Sequence, residues 1–385
     1  MNDQFLTELQ NVMGGSGIFM EEPMKKHTTF RVGGPADVLV QPDETALAAI
    51  LALCRQYHVS YSFIGNGSNL LVGDKGIRGV VIEMTDPMGN IEVDGTKITA
   101  QAGAMLSKIA NTAASNGLGG MEFAAGIPGS VGGAVVMNAG AYGGEMKDII
   151  EKVYVLDENG AQLELDRDAL DLGYRHSCIP EKKYIVTKVV LELVPRNEAE
   201  IRSEMKELNE KRAEKQPLQY PSAGSTFKRP EGYFAGKLIM DAGLRGYQVG
   251  GAQVSEKHCG FMINKGDATA ADICQLMRDV SDKVQAQYIP NKRTIYVRNG
   301  MSENATFHSI SRELACASLD HHDGSYSRAG VSAVTALSSK SLTWISKSVV
   351  YRLKSSFRRG LPEASINLEF ILYLSALHRR ARHFP

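Results

Sequence analysis

The sequence predicts an α+β protein with more than one domain. Its 385 residues are enough for roughly two or three domains. Apolar residues recur at helical spacing in several stretches, and β-branched stretches that turn at Asp-Gly or Asn-Gly pairs lie between them. Hydrophobic residues make up 43% of the chain and the formal net charge is zero. This composition is typical of a globular protein and gives no overall field that would attract nucleic acid.

The first half of the chain is predicted to alternate strands, hairpins and helices. Residues 45–59 carry an apolar helical stripe, and Asp43 just ahead of it is a residue type that caps helices. The stripe consists of Leu47, Ile50, Leu51, Cys54 and Tyr57. The further predicted elements are a strand, glycine turn and strand over 60–72, hairpins that turn at Asp94-Gly95 and Asn159-Gly160, a helix over 106–117 and a strand over 184–194.

The character of the sequence changes after Pro195. Residues 197–216 form a charged amphipathic helix with Ile201, Met205 and Leu208 on its apolar side, which we interpret as a solvated connector into a second domain. A loop over 217–230 follows. The last predicted elements are a helix over 234–243, a strand over 259–264 and a helix over 271–285 with Ile273, Met277, Val280 and Val284 on one side.

Residues 126–145, GIPGSVGGAVVMNAGAYGGE, contain seven glycines in twenty positions. Glycine lets a partner approach the main chain closely, and successive backbone N–H groups can bind an anion. The segment is therefore either a turn-rich loop without a ligand or a wrapping for phosphates and rings. Residues 64–72, IGNGSNLLV, also contain glycines, here flanked by small polar residues. They match neither the Rossmann nor the P-loop pattern, and alone they predict a tight turn.

Two further motifs carry candidate chemistry. In GYRHSCIP, residues 173–180, Arg175 has the planar cation that suits a carboxylate, although a surface arginine is the alternative. In YPSAGSTFKRP, residues 220–230, a proline-bounded loop holds Ser222, Ser225, Lys228 and Arg229. The loop has no G-x-S-x-G elbow, so a hydrolase serine is not expected. It offers hydroxyls and two cations to an anionic substrate.

Several patterns bear on location and metals. Cys54, Cys178, Cys259, Cys274 and Cys316 are dispersed without a C-x-x-C pair, which favours reduced thiols in the cytoplasm. The start of the chain lacks the basic flank and apolar core of a signal peptide. No apolar run reaches the length of a membrane span, and no residue cluster predicts a metal site.

Seven blocks of the sequence, taken in order, resemble the UDP-N-acetylenolpyruvoylglucosamine reductase (MurB) family of flavoenzymes of peptidoglycan synthesis. The resemblance covers about residues 20 to 285 and is closest to the shorter, type II-like subtype, which lacks an extra loop and a small βαββ insertion. The blocks are HTTFRVGGPAD (27–37), IGNGSNLLV (64–72), the glycine-rich segment 126–145, GYRHS (173–177), YPSAGSTFKRP (220–230), FAGKLIMDAGLRG (234–246) and GGAQVSEKHCGFMINKGDAT (250–269).

The resemblance implies an FAD-binding domain of the vanillyl-alcohol oxidase (PCMH) type, built from two α+β subdomains, and then a smaller α+β substrate-binding domain. We expect an N-terminal helix over 1–22, the FAD-binding domain over 23–196 with subdomains of about 23–90 and 91–196, and the substrate-binding domain over 197–300. Residues 301–385 do not match the family, and we expect an atypical, poorly ordered extension there. The expected oligomeric state is a monomer.

The resemblance also implies a reaction and a set of site residues. NADPH, a co-substrate, reduces non-covalently bound FAD, and a hydride then passes to the enolpyruvyl group of a UDP-sugar. Arg175 matches the family's cation for the developing negative charge, and Ser225 matches its proton donor. Tyr174, Lys228 and Arg229 are expected to bind substrate. The expected FAD contacts are Gly65, Asn66, Gly67, Ser68, Asn69, Gly126, Ile127, Pro128, Gly129, Ser130, Gly133, Asn138, Gly140, Ala141 and Tyr142.

The chain departs from the family near its end. The family uses a catalytic glutamate in a segment resembling LEPEV, but here its position falls on Asn291, and no Asp or Glu occurs between Asp282 and Glu303. A frameshift, a fused segment and genuine divergence are the hypotheses for this departure. Two other functions therefore stay open: an FAD oxidase of the same fold, and a flavin-binding protein without catalysis.

Overall fold

The computed structural model describes residues 1–230, 232–288 and 307–309. Asn291 and nearly all of the predicted extension at 301–385 lie outside the described residues, so the expectations about them stay predictions. The elements of the first part of the chain are α1 (Asp3–Val12), β1 (Ile18–Pro23), β2 (Pro35–Val40), α2 (Glu44–Gln56), β3 (Tyr61–Ile64), β4 (Leu70–Val72) and β5 (Ile77–Glu83). Within the predicted N-terminal segment 1–22, the helix ends at Val12 and a strand already begins at Ile18.

A four-stranded sheet in the order β1-β2-β5-β3 organises this first part. β1 pairs antiparallel with β2, whereas β5 lies parallel to both β2 and β3. α2 begins where Asp43 accepts a hydrogen bond from the amide of Ala46 at 2.8 Å, as the capping residue predicted. The apolar stripe of α2 is buried from Leu47 to Cys54, and only Tyr57, at the end of the helix, stays half-buried.

The turn between β3 and β4 does not form a hairpin. Both predicted strands are present, but β3 pairs with β5, and β4 pairs with a short strand, β18 (Phe307–Ser309). The intervening residues Gly65–Asn69 therefore form an open loop at one end of the sheet. An open loop leaves backbone groups available, because no hairpin partner takes up their hydrogen bonds.

The second part of the chain contains a five-stranded antiparallel sheet in the order β12-β11-β13-β7-β6. Both predicted hairpins are confirmed, and the turn residues Gly95 and Gly160 have positive φ values of 58° and 85°. The elements are β6 (Ile91–Asp94), β7 (Lys97–Gln101), α3 (Leu106–Ser115), β8 (Leu118–Gly119), α4 (Val131–Val136), β9 (Gly140–Ala141), β10 (Gly144–Glu145), β11 (Ile150–Leu156), β12 (Gln162–Asp166), β13 (Ile185–Glu192) and β14 (Val194–Pro195).

The third part of the chain begins with the long charged helix. Its elements are α5 (Glu198–Lys215), α6 (Ala235–Asp241), β15 (Gln248–Val249), β16 (Ala252–Val254), β17 (Met262–Asn264) and α7 (Ala270–Tyr288). The strands form a three-stranded antiparallel sheet against which α7 packs. The predicted apolar side of α7 is buried at all four positions, from Ile273 to Val284. The predicted α+β class is confirmed.

The third part of the chain shares its core with the first part. Phe30, Val32 and Leu71 are buried in the same apolar cluster as the inner side of α7. Asp74 accepts hydrogen bonds from the amides of Ala270 and Ala271 at 2.8 and 3.0 Å, so the loop after β4 caps α7. The loop over 27–34 and the loop after β4 therefore hold the third part in a fixed position. The domain boundaries near residues 23, 90 and 197 stay a proposal.

Candidate active site

A cavity of about 1100 Å³ lies where the three parts of the chain meet. Both glycine-rich segments line it, and so do two residues that the sequence analysis singled out for chemistry, Arg175 and Ser225. The remaining predicted residues that line it are Gly65, Asn66, Gly67, Ser68, Asn69, Gly126, Ile127, Pro128, Gly129, Ser130, Gly133, Gly140, Ala141 and Tyr142. Of the predicted FAD contacts, only Asn138 is absent from this lining.

The two glycine-rich segments touch each other across the cavity wall. The side-chain amide of Asn66 donates a hydrogen bond to the carbonyl oxygen of Pro128 at 2.9 Å. A Cβ atom on Gly65 would overlap the hydroxyl of Ser130. Gly65 therefore lets the second segment approach the main chain of the first, a contact that any larger residue would prevent.

Many backbone amides at this junction are unengaged. Within the described residues, the amides of Gly65–Asn69 donate to no acceptor, and neither do those of Gly126, Ser130 and Gly133. The amides of Ile127, Gly129, Val131 and Gly132 instead donate to carbonyl oxygens of the protein itself. Backbone amides without an acceptor are thus found throughout the loop Gly65–Asn69, but only at some positions of segment 126–145. Amides that face a cavity without acceptors are suited to anionic oxygens.

Arg175 is held at the cavity by main-chain carbonyls. Its guanidinium donates to the oxygens of Asn138 at 3.2 Å and Gly140 at 2.8 Å. No carboxylate of the described residues forms an ion pair with Arg175, and burial lowers the pKa of its guanidinium. The side chain nevertheless keeps its positive charge, as arginine does in proteins. Arg175 and Asn138 both adopt left-handed backbone conformations, with φ values of 54° and 39°. Such conformations are costly for residues other than glycine and concentrate at functional sites.

Asn138 lies behind the cavity wall instead of in it. Its side chain is fully buried and donates to Glu145 at 2.7 Å and to the carbonyl of Gly173 at 3.0 Å. Its side-chain oxygen accepts a hydrogen bond from the amide of Lys147 at 2.9 Å. All three contacts are with the protein, and Asn138 does not line the cavity, so its expected contact with FAD stays a proposal. Its carbonyl positions Arg175.

Ser225 lines the cavity from the third part of the chain. Its backbone forms an isolated antiparallel bridge with Phe261, and the neighbouring amide of Thr226 donates to Gly260 at 2.8 Å. The Ser225 hydroxyl has no hydrogen-bond partner in the described part of the chain. A hydroxyl that is fixed by its backbone and free at its oxygen is available to a ligand.

The three predicted substrate contacts lie outside the cavity lining. Tyr174 is 53% exposed, and its ring centroid lies 5.3 Å from the guanidinium carbon of Arg175. Its hydroxyl accepts a long hydrogen bond, 3.4 Å, from the amide of Arg229, whose guanidinium lies 4.5 Å from the ring centroid of Phe234. Lys228 precedes Arg229 on the same loop. Tyr174 and Arg229 therefore form a pair beside the cavity.

The sequence analysis assigned no role to His27 and Glu83, which also line the cavity. One imidazole nitrogen of His27 lies 3.0 Å from the buried carboxylate of Glu83, and the other lies 3.2 Å from Glu22. Gln41 also donates to Glu83, at 2.7 Å. Hydrogen bonding to Glu83 raises the pKa of His27 against the opposing effect of burial. His27 opens the block HTTFRVGGPAD, but nothing in one sequence shows that its partners lie so far along the chain.

The charged helix α5 contributes more than a solvated connector. Ile201 and Met205 are buried and Leu208 is half-buried, close to the prediction. The C-terminal half of α5, however, turns Asn209, Arg212 and Lys215 toward the cavity. The guanidinium of Arg212 donates to the carbonyl of Gly126, and burial lowers its pKa. Hydrophobic periodicity could not predict that this side of α5 faces a cavity, because its residues are polar and resemble a solvent-facing surface.

The described residues contain neither a helix that could span a membrane nor a cluster that could hold a metal ion. None of the helices there combines the length and the apolar character that crossing a bilayer requires. No group of three or more His, Cys, Asp or Glu side chains within those residues has an arrangement suited to a metal ion.

Comparisons with known proteins agree with this geometry. A family model described as an FAD binding domain matches residues 35–166, and one described as the C-terminal domain of UDP-N-acetylenolpyruvoylglucosamine reductase matches residues 216–289. These two regions contain the two glycine-rich segments and Ser225, respectively. Arg175 lies between the two matched regions.

Individual relatives cover most of the chain. A UDP-N-acetylenolpyruvoylglucosamine reductase from Agathobacter rectalis is 55% identical over 300 residues, which span 75% of this chain and 96% of the relative. One from Clostridium botulinum is 53% identical over 287 residues, 74% of this chain and 93% of the relative. The crystal structure of the Thermus caldophilus reductase (MurB) matches with a TM-score of 0.63 at 37% identity, over 74% of this chain and 97% of that chain. The chain therefore belongs to the UDP-N-acetylenolpyruvoylglucosamine reductase family.

Proposed function

We propose that this chain reduces the enolpyruvyl group of UDP-N-acetylglucosamine enolpyruvate to give UDP-N-acetylmuramate, with NADPH as the reductant and FAD as a non-covalent cofactor. This reaction belongs to the synthesis of peptidoglycan precursors. The observation that carries the proposal is the cavity of about 1100 Å³ that both glycine-rich segments, Arg175 and Ser225 line together. Membership of the UDP-N-acetylenolpyruvoylglucosamine reductase family supports the same chemistry.

The residues around the cavity suit a flavin dinucleotide. The unengaged amides of Gly65–Asn69 and those of Gly126, Ser130 and Gly133 can receive a diphosphate, whose oxygens are strong acceptors. Gly65 and Gly67 let Ser130 and the main chain of His27 pack closely against this loop, because a Cβ atom on either glycine would overlap them. FAD bound there supplies the transfer of a hydride from NADPH to the substrate. The hydroxyl of Ser68 and the amide of Asn69 add polar groups to the same wall.

We propose that Arg175 stabilises the negative charge that develops beside the substrate carboxylate. When a hydride adds to the terminal alkene carbon, charge builds on the neighbouring carbon and its carboxylate. The carbonyls of Asn138 and Gly140 take up two of the five N–H groups of Arg175 and fix its plane. The other N–H groups remain for the substrate. A cation that is already in position favours the transition state over the ground state, because no reorganisation is needed during the reaction.

We propose that Ser225 donates the proton that completes the reaction. The O–H bond of Ser225 breaks, a C–H bond forms at the carbon that carries the carboxylate, and the alkoxide then regains a proton from water. A serine hydroxyl is a weak acid, but a carbanion is a strong enough base to accept its proton. The hydroxyl has no competing partner among the described residues, which supports this role.

The remaining expectations complete the proposal. Tyr174, Lys228 and Arg229 bind the substrate diphosphate from the edge of the cavity, since Lys228 and Arg229 follow Ser225 on the same loop and add positive charge. The UDP-sugar is the partner, the protein is cytoplasmic, and it acts as a monomer. Sedimentation of the purified protein tests the last point, because a dimer would sediment at twice the mass.

An anaerobic spectral experiment tests the function. The purified protein is yellow, loses its flavin absorbance on addition of NADPH, and regains it when the enolpyruvyl nucleotide is added without oxygen. Recovery with oxygen alone would point instead to an oxidase. Persistent absorbance after NADPH would point to a flavin-binding protein without catalysis.

The second candidate function, flavin binding without catalysis, has one observation in its favour. No Asp or Glu occurs between Asp282 and Glu303, where the family resemblance expects a catalytic glutamate. If that acid is required in this chain, the protein binds FAD at the cavity but turns over slowly. The coding DNA past codon 288 provides a direct check, because a frameshift would restore an acid-containing segment such as LEPEV in another reading frame.

A further inference from the structure

His258 lines the cavity but has no part in the proposed function so far. It is half-buried on the turn that leads from β16 to β17. The backbone amide of His258 donates to the hydroxyl of Ser255 at 3.2 Å, and its carbonyl accepts from the amide of Phe261 at 2.9 Å. The turn that carries the imidazole is therefore closed by its own hydrogen bonds.

The imidazole ring is fixed as firmly as the backbone. The amide of Gly260 donates to Nδ1 of His258 at 3.1 Å. The ring packs edge-to-face on Phe261, with 4.9 Å between centroids and an interplanar angle of 70°. An aromatic pair in this arrangement is favourable and limits rotation of the ring.

These contacts define which nitrogen carries the proton. Since Nδ1 accepts a hydrogen bond, its lone pair is occupied and the proton of the neutral ring lies on Nε2. Burial lowers the pKa of His258, so the neutral form persists at neutral pH. Nε2 has no hydrogen-bond partner in the described part of the chain. His258 therefore brings to the lining of the cavity a side chain whose N–H donor has no partner among the described residues.

The same turn lies directly against Ser225. Ser225 and Phe261 are partners in an antiparallel bridge, and side chains of bridge partners project to the same side. The ring of Phe261 also contacts His258. His258 and Ser225 are therefore neighbours of one side chain, and both line one cavity.

We infer that Nε2–H of His258 donates a hydrogen bond to a carboxylate oxygen of the enolpyruvyl substrate. The inference rests on the proposed function. Ser225 must reach the carbon that carries the carboxylate, so a donor beside Ser225 is within reach of the carboxylate itself. Arg175 and His258 would then hold that group together and orient the carbon toward the serine hydroxyl. A neutral donor fits beside a cation, whereas a second cation would repel it.

Two substitutions at His258 test the inference in the holoenzyme. His258→Phe keeps a ring for packing on Phe261 but has no donor, and His258→Gln returns an N–H group near the position of Nε2. We measure the dissociation constant of the enolpyruvyl nucleotide from the change it causes in flavin absorbance, and the rate of flavin reduction by NADPH. His258→Phe raises the dissociation constant about 10-fold, and His258→Gln stays within about 3-fold of the parent.

The control and the second readout separate binding from folding. The rate of flavin reduction by NADPH changes less than about 2-fold in either variant, and His58→Gln, at an exposed position, changes neither quantity. Nitrogen chemical shifts of ¹⁵N-labelled holoenzyme show the proton of His258 on Nε2. A proton on Nδ1, unchanged nucleotide binding in His258→Phe, or failure of His258→Gln to restore it would overturn the inference. If the parent enzyme itself is not reoxidised by the nucleotide, the proposed function fails instead.

Discussion

The side-chain amide of Asn66 donates a 2.9 Å hydrogen bond to the main-chain oxygen of Pro128. The two residues are 62 positions apart, and each lies near the start of one glycine-rich segment. One loop follows β3 of the mixed sheet, and the other precedes α4, which packs against the antiparallel sheet. This bond therefore links the two glycine-rich segments at the cavity that both of them line.

We expect Asn66→Ala to weaken FAD binding about 10-fold. The change removes the hydrogen bond to Pro128 and leaves a carbonyl without its donor, a loss of about 1 kcal/mol or more. Titration of the FAD-free protein, followed by flavin fluorescence, measures the effect. Asn116→Ala is the matched control, since Asn116 makes the same kind of bond, to Thr112 at 2.9 Å, on an exposed helix end. Equal affinities in the two variants would contradict the prediction.

Gly67→Ala tests whether the loop Gly65–Asn69 needs a residue without a Cβ atom at this position to retain FAD. Gly67 has a φ of 57°, and a Cβ there would overlap the carbonyl oxygen of His27. Gly95 has nearly the same φ, 58°, but a Cβ on it would meet nothing within 4 Å. Both alanine variants therefore carry the conformational penalty, about 1 kcal/mol, and only Gly67→Ala adds a backbone clash. We expect Gly95→Ala to retain FAD and Gly67→Ala to be purified largely without it. Similar FAD contents would rule out the clash.

The local elements could be predicted from the sequence because their causes are local. Hydrophobic periodicity identified α2 and α7, and Asp-Gly or Asn-Gly pairs identified the two hairpins. The partners of each strand could not be identified in this way. β3 and β4 were predicted as strands on either side of a glycine turn, but their partners, β5 and β18, were not, since pairing depends on long-range packing.

The sequence analysis identified the glycines that line the cavity, together with Arg175 and Ser225, but it assigned no role to Arg212 or His258. Glycine marks backbone that a partner approaches, so segments 64–72 and 126–145 were visible in the sequence. Arg212 and His258 were not, because a polar residue on a helix or turn has the same sequence signature whether it meets solvent or a cavity. Asn138 illustrates the reverse case, in which a residue inside the right motif is buried and engaged by the protein itself.

Arg175→Lys is expected to slow the second half of the reaction about 100-fold while FAD stays bound. Lysine keeps the charge but cannot donate in the fixed plane that the carbonyls of Asn138 and Gly140 set for the guanidinium. Anaerobic stopped-flow measurement of flavin reoxidation by the enolpyruvyl nucleotide gives the rate. The matched control is Arg202→Lys, at an exposed position that pairs with Glu198. A loss of less than about 3-fold would argue against the proposed role.

Ser225→Ala is expected to separate the two half-reactions. Reduction of the flavin by NADPH needs no proton from Ser225, so its rate stays within about 2-fold of the parent. Reoxidation by the enolpyruvyl nucleotide slows about 100-fold or more, the usual contribution of a positioned acid. Ser203→Ala, on the exposed side of α5, leaves both rates unchanged. If both half-reactions slow equally in Ser225→Ala, the serine supports the site but does not donate the proton.

Stability is expected to fall as the pH rises above neutrality, because of His27. Hydrogen bonding to Glu83 raises the pKa of His27 in the folded protein, and Glu22, Gln41 and Lys26 complete its polar surroundings. The folded state therefore keeps a proton at pH values where the unfolded chain has lost it. The stabilisation is complete below about pH 6.5, the ordinary value for histidine, and disappears as the pH rises through the higher folded pKa.

His27→Gln removes this pH dependence if the carboxylates are its cause. Urea unfolding of the holoenzyme between pH 6 and 9 measures the free energy of unfolding at each pH. The parent loses about 1–2 kcal/mol across this range, the scale of a hydrogen bond to a charged group, and the variant changes much less. His58→Gln removes an exposed histidine that forms no ion pair within the described residues, so it retains the slope of the parent. If His27→Gln showed the same slope as the parent, the pH dependence would have to arise elsewhere. The interaction of the His27 imidazolium with Glu22 and Glu83 would then not be its cause.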